Sequence, residues 1–433
     1  MCSYAGTSLN AGSAVTEKLA LLGGAPVCER APAALWPEPG EAERRALLEA
    51  LEEGQWGGYP SPGPRAAAFA ERFAAFHDAL HGICATNGSV TLEVALTALG
   101  LEAGDEVIVP AYTWIATAAC AIRTNAVPVF VDSEPRTFCI DPDAVEEAIT
   151  PRTRALVPVH LGASVADLDR LLEIARRHDL RLVEDCAHMH GARWRERGVG
   201  SWGDLGSFSF QASKLVTAGE GGAILTRDDE LAARCHSVVN CGRHEGDYAH
   251  LEEWLFGTNA RMTEFQAAVL ETQLDRLPER TERRSAAIAR LTQGLAQVGG
   301  LEPLPLDERV TTRAAYEWVL RYDAEGFAGI PRDRFLQALA AEGVHADGPF
   351  YVPLPDHPLM NARSTQWPML RERYGDGIRA AETLRRLDFP VARRAAYEES
   401  VWLHHATLLA SPEELDRVVE AVAKVSRHAD GLR

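Results

Sequence analysis

Lysine is almost absent from this chain. The sequence has 433 residues and 44 basic side chains, of which only Lys18, Lys214 and Lys424 are lysines and 41 are arginines. A guanidinium stays protonated and cannot form a Schiff base, so each surviving lysine needs an explanation. We expect Lys18 to lie in an irregular N-terminal arm and Lys424 on the polar side of an amphipathic C-terminal helix. Lys214 has no such structural explanation.

Three further absences exclude whole classes of function. The eight cysteines include no CxxC pair, which argues against a disulfide framework and a zinc site, so we expect no bound metal. The formal net charge of -18 would repel a phosphate backbone, so we expect no nucleic-acid partner. Residues Met1–Asn10 carry no Lys or Arg, and the apolar run Leu19–Leu22 is too short for a signal core or a membrane span. We therefore expect reduced thiols, no membrane contact and a cytoplasmic protein.

Short apolar runs alternate with helical patterns over residues 83–226. This alternation predicts an α/β fold in which crossover helices cover both faces of a parallel sheet. The candidate strands are Val107–Val109, Val127–Val131, Ala155–Val159, Arg181–Glu184, Ser207–Phe210 and Ala223–Leu225. A chain of this length that is 46% hydrophobic can bury a large core and normally divides into domains. We predict an N-terminal arm over residues 1–40, a large domain over 41–300 and a smaller C-terminal α+β domain over 301–433.

The turn Thr86–Ser89 closes one apolar run and opens a helical pattern. Ligands bind at the carboxyl ends of strands in such sheets, so this turn is a candidate site. The backbone N–H groups of Gly88 and Ser89, together with the positive end of the helix dipole, suit a phosphate. An ordinary Asn-Gly turn with a serine cap explains the same residues equally well.

Two later strand ends carry ionisable side chains. Asp185 and His188 follow one candidate strand, although an aspartate there more often caps a helix and a histidine is more often a satisfied polar residue. Lys214 lies between an aromatic strand and the glycine-rich turn Gly219–Gly222, although a solvated loop charge is the commoner role of a lone lysine. The absence of GxxxxGK[ST] and GxGxxG excludes the common nucleotide-binding loops.

These strand ends together offer the groups that pyridoxal phosphate (PLP) requires. PLP needs an amine to bind its aldehyde, a carboxylate to keep its ring nitrogen protonated and a cradle for its phosphate. Lys214, Asp185 and the turn at Gly88 and Ser89 supply these three groups. Trp114 follows another strand and is placed to stack on a flat ring, although a core tryptophan is the commoner outcome. The sequence therefore predicts a PLP enzyme.

Five separated blocks of the sequence resemble the DegT/DnrJ/StrS family of sugar and cyclitol aminotransferases, which are fold type I PLP enzymes. The blocks are Leu22–Val27, Gly104–Pro110, Glu184–His188, Ser207–Phe210 with Lys214 and Gly219–Gly222, and Gly257–Met262. They occur in the family's order and span nearly the whole chain. The resemblance implies a PLP-dependent aminotransferase with a large domain built on a mainly parallel sheet and a smaller C-terminal α+β domain.

The resemblance also implies which residues act on the cofactor. Lys214 is the Schiff-base lysine and proton shuttle, and Asp185 is the partner of the pyridine nitrogen. His188 lies beside the ring oxygen, and Trp114 covers the ring. Some relatives carry histidine in place of the lysine and act as dehydratases, so the retention of Lys214 favours transamination.

A second set of residues is implied for the cofactor's phosphate. Gly88, Ser89 and Ser209 bind it from the same chain, and Asn259 reaches it from the neighbouring subunit of a homodimer. Gln211 stands where many relatives carry histidine, so no role is carried over to that position.

The stretches Thr113–Thr117 and Ser400–Leu409 most resemble the branch that acts on scyllo-inosose and 2-deoxy-scyllo-inosose, with L-glutamine as donor, in aminoglycoside-type biosynthesis. Enzymes that make 3-amino-5-hydroxybenzoate share a similar ending, and nucleotide-linked ketosugars are a third acceptor class. A non-catalytic PLP-binding regulator is the alternative from a different class, and the retention of both Lys214 and Asp185 argues against it. His404 and His405 are as often structural as functional, so we assign them no role.

The segment Val344–His357 is expected to overhang the site. It contains aromatics, two histidines and two aspartates, with no Lys or Arg. A neutral polyhydroxylated ring is recognised by hydrogen bonds and close-packed aromatics, whereas a nucleotide diphosphate or a carboxylate requires basic side chains. The composition therefore favours a neutral cyclitol as amino acceptor.

Overall fold

The computed structural model describes residues 18–244 and 249–433. Part of the predicted arm, residues 1–17 with the segment Met1–Asn10, lies outside the described residues. The described part of the arm, residues 18–40, contains one short 3-10 helix at Ala20–Leu22 and otherwise irregular backbone. Among the described residues, no helix combines the length and apolar character that crossing a bilayer requires.

A seven-stranded sheet forms the centre of the molecule. The strands of this sheet and of two smaller sheets are numbered together. In chain order they are β1 His81–Ala85, β2 Glu106–Pro110, β3 Val127–Val131, β4 Thr153–Leu156, β5 Arg181–Asp185, β6 Arg193–Trp194, β7 Arg197–Gly198, β8 Leu205–Ser209, β9 Gly222–Thr226, β10 Leu301–Pro303, β11 Val310–Thr312, β12 Glu317–Tyr322 and β13 Ser400–His404. The large sheet has the order β1-β9-β8-β5-β4-β2-β3. Its strands β2, β3, β5, β8 and β9 are buried along almost their whole length, as expected where helices cover both faces.

The helices connect and cover these strands. They are α1 Glu41–Glu53, α2 Pro64–Phe76, α3 Gly88–Ala98, α4 Ala116–Arg123, α5 Pro142–Ala148, α6 Leu168–His178, α7 Asp229–Val239, α8 Glu264–Leu295, α9 Arg332–Ala341, α10 Arg371–Tyr374, α11 Ala381–Arg386, α12 Pro390–Arg394 and α13 Pro412–Arg427. Helix α3 packs against β5, β8 and β9, so its N-terminus lies at the edge where β8 ends. The α/β fold class, with a mainly parallel sheet, is as predicted.

The large sheet departs from parallel pairing at one end. Strands β2, β3, β4, β5 and β8 pair in parallel, but β9 runs antiparallel to β8, and β1 runs antiparallel to β9. A parallel return needs a crossover connection, usually a helix. Residues 210–221 join β8 to β9 without a helix, so the chain can only turn back, and this turn carries Lys214.

Two small sheets complete the fold. Strands β10, β12 and β13 form an antiparallel sheet, and β11 joins β6 and β7. The first small sheet shares a hydrophobic core with α9, α13 and the C-terminal half of α8. Strand β12 begins at Glu317 and β13 ends at His404, and these two residues are paired across the sheet.

Lys424 lies on the expected side of α13, but it is buried rather than exposed to water. The apolar stripe of α13 does place this residue on the opposite side of the helix, but the N-terminal arm covers that side and Lys424 is only 3% exposed. Its Nζ donates to Glu342 Oε2 at 2.8 Å and to the carbonyl of Ala25 at 2.7 Å. The burial therefore comes from a tertiary contact that the helical pattern does not reveal.

Candidate active site

A cavity of about 660 Å³ opens at the carboxyl ends of β2, β5 and β8. Seven of the eight predicted site residues line it: Gly88, Ser89, Trp114, Asp185, His188, Ser209 and Lys214. Parallel neighbours end at the same edge of a sheet, and the residues that follow them therefore meet.

One wall of the cavity is an anion cradle at the start of α3. The first N–H groups of a helix have no partner within the helix. Asn87, rather than the serine that the alternative interpretation required, is the cap, since its Oδ1 accepts from Val90 N at 3.0 Å. A Cβ on Gly88 would lie 2.5 Å from Ser209 Cβ, so only glycine permits this approach between α3 and β8. Gly88, Ser89 and the Ser209 hydroxyl are thereby brought together at the positive end of the helix dipole.

Asp185 lies at the opposite wall and is 6% exposed. It does not cap a helix: Oδ2 accepts from Thr117 Oγ1 at 3.0 Å and Oδ1 from Ala187 N at 3.2 Å. Burial raises the pKa of this carboxyl, although its two hydrogen bonds oppose the rise. A cation bound in the cavity beside Asp185 would favour the ionised carboxylate.

His188 is held as a neutral ring between the two sheets. The backbone N–H of Gly162 donates to its Nδ1 at 3.1 Å, so Nε2 carries the proton and donates to the Tyr351 hydroxyl at 3.0 Å. Burial lowers the pKa of His188 well below its ordinary value. Its ring lies against that of Tyr316, with the centroids 4.3 Å apart.

Lys214 points into the cavity from the turn between β8 and β9. Its Nζ lies 4.0 Å from the ring centroid of Tyr316. Burial lowers the pKa of this amine from 10.5 to about 8, while Asp185 and Glu317 oppose the shift. A substantial fraction of the amine is therefore neutral near physiological pH, which is the form that attacks a carbonyl.

Ser213, next to Lys214, is tethered on three sides. Gln211 Oε1 accepts from Ser213 N at 2.9 Å and from its hydroxyl at 2.7 Å, and the Tyr316 hydroxyl lies 2.7 Å from the same Ser213 oxygen. His405 Nε2 donates to the Ser213 carbonyl at 2.9 Å, and Arg284 donates to His405 Nδ1 at 3.0 Å. Gln211 and His405 thus position the turn that carries Lys214.

The eighth predicted residue, Asn259, does not line the cavity. It is exposed and its backbone pairs with Asn240 near the surface. Close to it in sequence, Trp254 and Phe256 are 74% and 102% exposed. Trp114 does line the cavity but is 56% exposed, with its ring 6.0 Å from that of Tyr351.

The sequence analysis gave no individual role to three residues of the site, Thr117, Tyr316 and Tyr351, although Tyr351 lies in the segment that it expected to overhang the site. Thr117 lies one helical turn after Thr113, and the two hydroxyls are 3.2 Å apart, a spacing that could have been noticed. The two tyrosines come from the C-terminal part of the chain, and no local pattern marks them. Of the segment predicted to overhang the site, Phe350 and Tyr351 do line the cavity.

The cavity lining carries few charges. Lys214 is the one cation among the described residues that line it, and Asp185 and Glu220 are the acids. No arginine fork for a phosphate or carboxylate group is therefore present in the described part of the wall.

A buried group of ligand-type side chains lies behind the cavity. His160, Glu184 and Cys186 bring three donor atoms within 4.8 Å of one another. The Glu184 carboxylate already accepts from His160 Nε2 and from three backbone N–H groups of residues 200–203. We assign this group to supporting the end of β5, because hydrogen bonds occupy its carboxylate.

Comparison with known proteins gives matches along nearly the whole chain. The profile of the DegT/DnrJ/EryC1/StrS aminotransferase family matches residues 37–373. A protein of Streptoalloteichus tenebrarius, provisionally named an L-glutamine:3-amino-2,3-dideoxy-scyllo-inosose aminotransferase, is 49% identical over 97% of this chain and 100% of its own length. The L-glutamine:2-deoxy-scyllo-inosose aminotransferase of Micromonospora echinospora is 41% identical over 96% of this chain and 99% of its own.

The fold also matches that of a solved structure. The crystal structure of 3-amino-5-hydroxybenzoic acid synthase is 34% identical, covers 92% of this chain and 100% of its own, and superposes with a TM-score of 0.79. The resemblance stated from the five sequence blocks is confirmed by these matches.

Proposed function

The chain belongs to the DegT/DnrJ/EryC1/StrS aminotransferase family, and within it we propose that this enzyme uses PLP to move an amino group from L-glutamine to the ketone of a cyclitol. The observation that carries the proposal is the convergence of Lys214, Asp185 and the anion cradle on one cavity. Asp185 ends β5, the cradle joins the start of α3 to the end of β8, and Lys214 lies in the turn that follows β8.

The residues of the cavity fit PLP in three independent ways. The cradle formed by Gly88, Ser89 and Ser209 suits a phosphate, because a Cβ at Gly88 would close it. The buried carboxyl of Asp185 suits a protonated ring nitrogen, since a cation would compensate its burial. The amine of Lys214 suits an aldehyde, since burial increases its neutral fraction near pH 7.

Bound PLP supplies an electron sink for the charge that develops when the donor loses its α-proton. Lys214 provides the base for that proton, because its depressed pKa leaves a usable fraction of free amine. Asp185 would hold the cofactor through its ring nitrogen, and its ionised carboxylate would favour the protonated form of that nitrogen. Thr117 and the backbone of Ala187 orient the carboxylate for this task.

His188 and Trp114 shape the space above the cofactor. His188 is neutral and its Nε2–H is committed to Tyr351, so its ring acts by packing and orientation rather than by proton transfer. Trp114 lines the cavity and is 56% exposed, and with the cofactor bound its ring would limit the access of water. Exclusion of water strengthens the electrostatic contacts inside the site.

A neutral cyclitol is the acceptor that the lining favours. Aromatic rings of Tyr316, Phe350 and Tyr351 bound the side of the cavity away from the sheet, and a nucleotide diphosphate would require basic groups that the described lining does not provide. The 2-deoxy-scyllo-inosose named for one relative is such an acceptor. A 3-amino-2,3-dideoxy-scyllo-inosose is the second candidate, because the relative at 49% identity is provisionally named for it.

The proposal includes a homodimer in the cytoplasm with shared active sites. Asn259 lies outside the cavity of its own chain, beside the highly exposed Trp254 and Phe256. Large exposed aromatics of this kind are typical of protein interfaces. Asn259 then completes the phosphate site of the partner subunit.

The test is an amine-transfer assay with purified, PLP-loaded enzyme. L-Glutamine is supplied with 2-deoxy-scyllo-inosose, 3-amino-2,3-dideoxy-scyllo-inosose, 3-amino-5-hydroxybenzoate precursors or a nucleotide-linked ketosugar, and kcat/KM is compared. We expect turnover of one or both inososes and much weaker turnover of the others. A nucleotide-linked ketosugar as the best substrate would overturn the cyclitol assignment and leave the aminotransferase assignment intact.

The visible absorbance of the bound cofactor separates catalysis from mere binding. The absorbance of covalently attached PLP should fall when L-glutamine is added and return when the acceptor follows. Bound PLP that does not respond to any donor would support the non-catalytic alternative.

A further inference from the structure

Arg284, on helix α8, is a buried cation without a carboxylate partner among the described residues. It is 2% exposed, and its Nε and Nη1 meet no hydrogen-bond acceptor in the part of the chain that the structure describes. Arg280 lies one helical turn earlier and is similarly buried, but its guanidinium donates to Gln273 Oε1 at 2.8 Å and to Glu38 Oε2 at 2.9 Å. Removing an ion from water is costly unless the ion is paired, so the position of Arg284 calls for an explanation.

The Nη2 group of Arg284 does have an acceptor, which is a histidine. It donates to Nδ1 of His405 at 3.0 Å. Burial lowers the pKa of Arg284 to about 9, so the guanidinium is still charged near neutral pH, and it offers donors and no acceptor. Burial also lowers the pKa of His405 well below its ordinary value, so the imidazole is neutral. Nδ1 of this neutral ring accepts from Arg284, and the ring proton is therefore on Nε2.

That proton holds the turn that carries Lys214. His405 Nε2 donates it to the carbonyl oxygen of Ser213 at 2.9 Å. The same peptide group includes the N–H of Lys214, which donates to the carbonyl of Gln211 at 2.8 Å. Both sides of the planar peptide between Ser213 and Lys214 are thus fixed. This plane sets the direction in which the Lys214 side chain leaves the backbone.

The N-terminal arm covers the contact between Arg284 and His405. The ring of Trp36 lies edge-on to that of His405, with the centroids 4.5 Å apart, and the guanidinium carbon of Arg284 is 5.5 Å from the same Trp36 ring. Ala34 N donates to the carbonyl of Ala406 at 3.0 Å and so holds the arm beside His405, which is fully buried. A hydrogen bond away from water is electrostatically stronger than an exposed one, so the orientation that Arg284 imposes on His405 is strongly favoured.

We propose that Arg284 is a positioning residue that fixes the tautomer of His405 and, through it, the peptide that carries Lys214. With its proton on Nδ1, His405 would turn a lone pair toward the Ser213 carbonyl, and these two acceptors would repel each other. An amide or a hydroxyl in place of Arg284 could also accept a hydrogen bond and would not exclude this tautomer. Neither Arg284 nor His405 lines the cavity, so the effect reaches Lys214 through the Ser213 carbonyl.

The inference rests on the proposed role of Lys214, and its tests use the cofactor-free protein. The first test is the tautomer of His405, which NMR reads from the chemical shifts of the ring nitrogens in histidine-labelled protein. His405→Gln assigns the signal by removing it. We expect the proton on Nε2 in the wild type and a substantial share on Nδ1 in Arg284→Met. A wild-type ring with its proton on Nδ1 would overturn the inference.

The second test is hydrogen exchange of the turn, measured by mass spectrometry on residues 211–218. Arg284→Met keeps a long side chain and removes the donor. Arg283→Met is the matched control, because Arg283 is about half exposed and donates to the Leu409 carbonyl instead. Arg284→Met should speed exchange in this segment by roughly threefold to tenfold, as for the loss of one hydrogen bond, and Arg283→Met should not. Unchanged exchange in Arg284→Met, or a rise spread evenly over the chain, would contradict a positioning role.

Two further variants separate positioning from a structural role. Arg284→Lys retains a cation that can only donate, so it should keep most of the wild-type protection. His405→Gln has an amide that can donate to the Ser213 carbonyl and has no tautomers, so adding Arg284→Met to it should change exchange by less than about twofold. The inference falls if Arg284→Lys exchanges as fast as Arg284→Met, or if Arg284→Met has equal effects with and without His405→Gln.

Failure of the proposed function would look different. If wild-type enzyme bound PLP without the absorbance of covalent attachment, the role of Lys214 would be wrong even if Arg284 controlled the tautomer and the exchange. If that absorbance formed and responded to L-glutamine but exchange of the turn did not depend on Arg284, only the present inference would fall.

Discussion

Lys424 and Lys214 have opposite surroundings. Lys424 donates to the Glu342 carboxylate and to the carbonyl of Ala25, and Glu342 accepts in addition from the backbone of Ala20 and Val27. Lys214 lies in an open cavity against the ring of Tyr316, and no described carboxylate forms a salt bridge with it. The first lysine joins the C-terminal helix to the N-terminal arm, and the second is available for reaction.

The difference shows that burial alone does not mark a reactive lysine. Both amines have lost contact with water, Lys424 almost completely and Lys214 in part, but only Lys424 has a carboxylate that compensates the loss of hydration. Lys214 instead has a depressed pKa of about 8, so part of its population is a nucleophile. An unpaired amine beside an empty volume is the combination that indicates chemistry.

The largest effect should come from Lys214→Met. We expect kcat/KM to fall by at least about 10⁴-fold, because both the covalent anchor and the proton-transfer base are lost. Lys214→Arg should fail as completely, since a guanidinium is too basic to replace the amine. Steady-state transamination measures the loss, with Lys18→Met as the control that removes an exposed lysine. Wild-type turnover in either Lys214 variant would refute the assignment.

Lys424→Met should instead lower the free energy of unfolding and leave the catalytic turnover unchanged. Removal of one partner of a buried pair leaves Glu342 uncompensated and typically costs about 3–5 kcal/mol of unfolding free energy. Denaturant unfolding measures this cost, and turnover per folded molecule should stay near the wild-type value. A catalytic defect in the folded protein without loss of stability would mean that the two lysines do not divide the roles in this way.

The sequence alone was enough to place Lys214 in the cavity, because its signal is local. Lys214, Asp185 and Ser209 each follow or end a buried strand, and parallel neighbours bring such residues to one edge. Rarity of lysine then separated Lys214 from an ordinary loop charge. The fold class and the family followed from the same blocks of sequence.

The rest of the site depends on contacts that no short pattern encodes. Tyr316 and Tyr351 reach the cavity from the C-terminal part of the chain, and the ring of Tyr316 lies against Lys214. The burial of Lys424 was not predicted for the same reason, because its partner Glu342 lies at the end of another helix, far away in the sequence. The domain limits, and the partner-subunit role of Asn259, stay predictions.

Replacement of Lys214 should change the free energy of unfolding in the opposite direction to replacement of Lys424, and the change should depend on pH. The pKa of Lys214 is 10.5 in the unfolded chain and about 8 in the folded protein. Below pH 8 the amine is protonated in both states, so the folded protein bears the full free-energy cost of desolvating the charged amine. Between pH 8 and 10.5 the unfolded state binds more protons, and stability rises with pH. Lys214→Met should therefore stabilise the cofactor-free protein by up to roughly 3 kcal/mol at pH 7 and by progressively less toward pH 10.

Denaturant unfolding at several pH values measures this difference against wild type. Lys18→Met should show no such trend, because an exposed lysine has little to gain from losing its charge. A destabilised Lys214→Met protein at pH 7 would mean that the Lys214 amine is compensated as well as that of Lys424.

The smallest effect should follow from Gln211→Ala, which removes two hydrogen bonds to Ser213, the residue beside Lys214. Each such partly exposed bond contributes about 0.5–1.5 kcal/mol, and His405 and Tyr316 continue to hold Ser213. We expect kcat to fall by about tenfold or less, with KM for L-glutamine nearly unchanged, since roughly 1.4 kcal/mol corresponds to tenfold.

The double variant Gln211→Ala with Tyr316→Phe tests why the Gln211 effect is small. If the tethers support one another, the double variant should lose more than the sum of the two single losses in free energy. The turn that carries Lys214 is held by several weak bonds, whereas Lys424 depends on Glu342 alone among the charged groups near it. A loss of more than about 100-fold from Gln211→Ala alone would show that this one side chain, and not the set of tethers, orients the reactive amine.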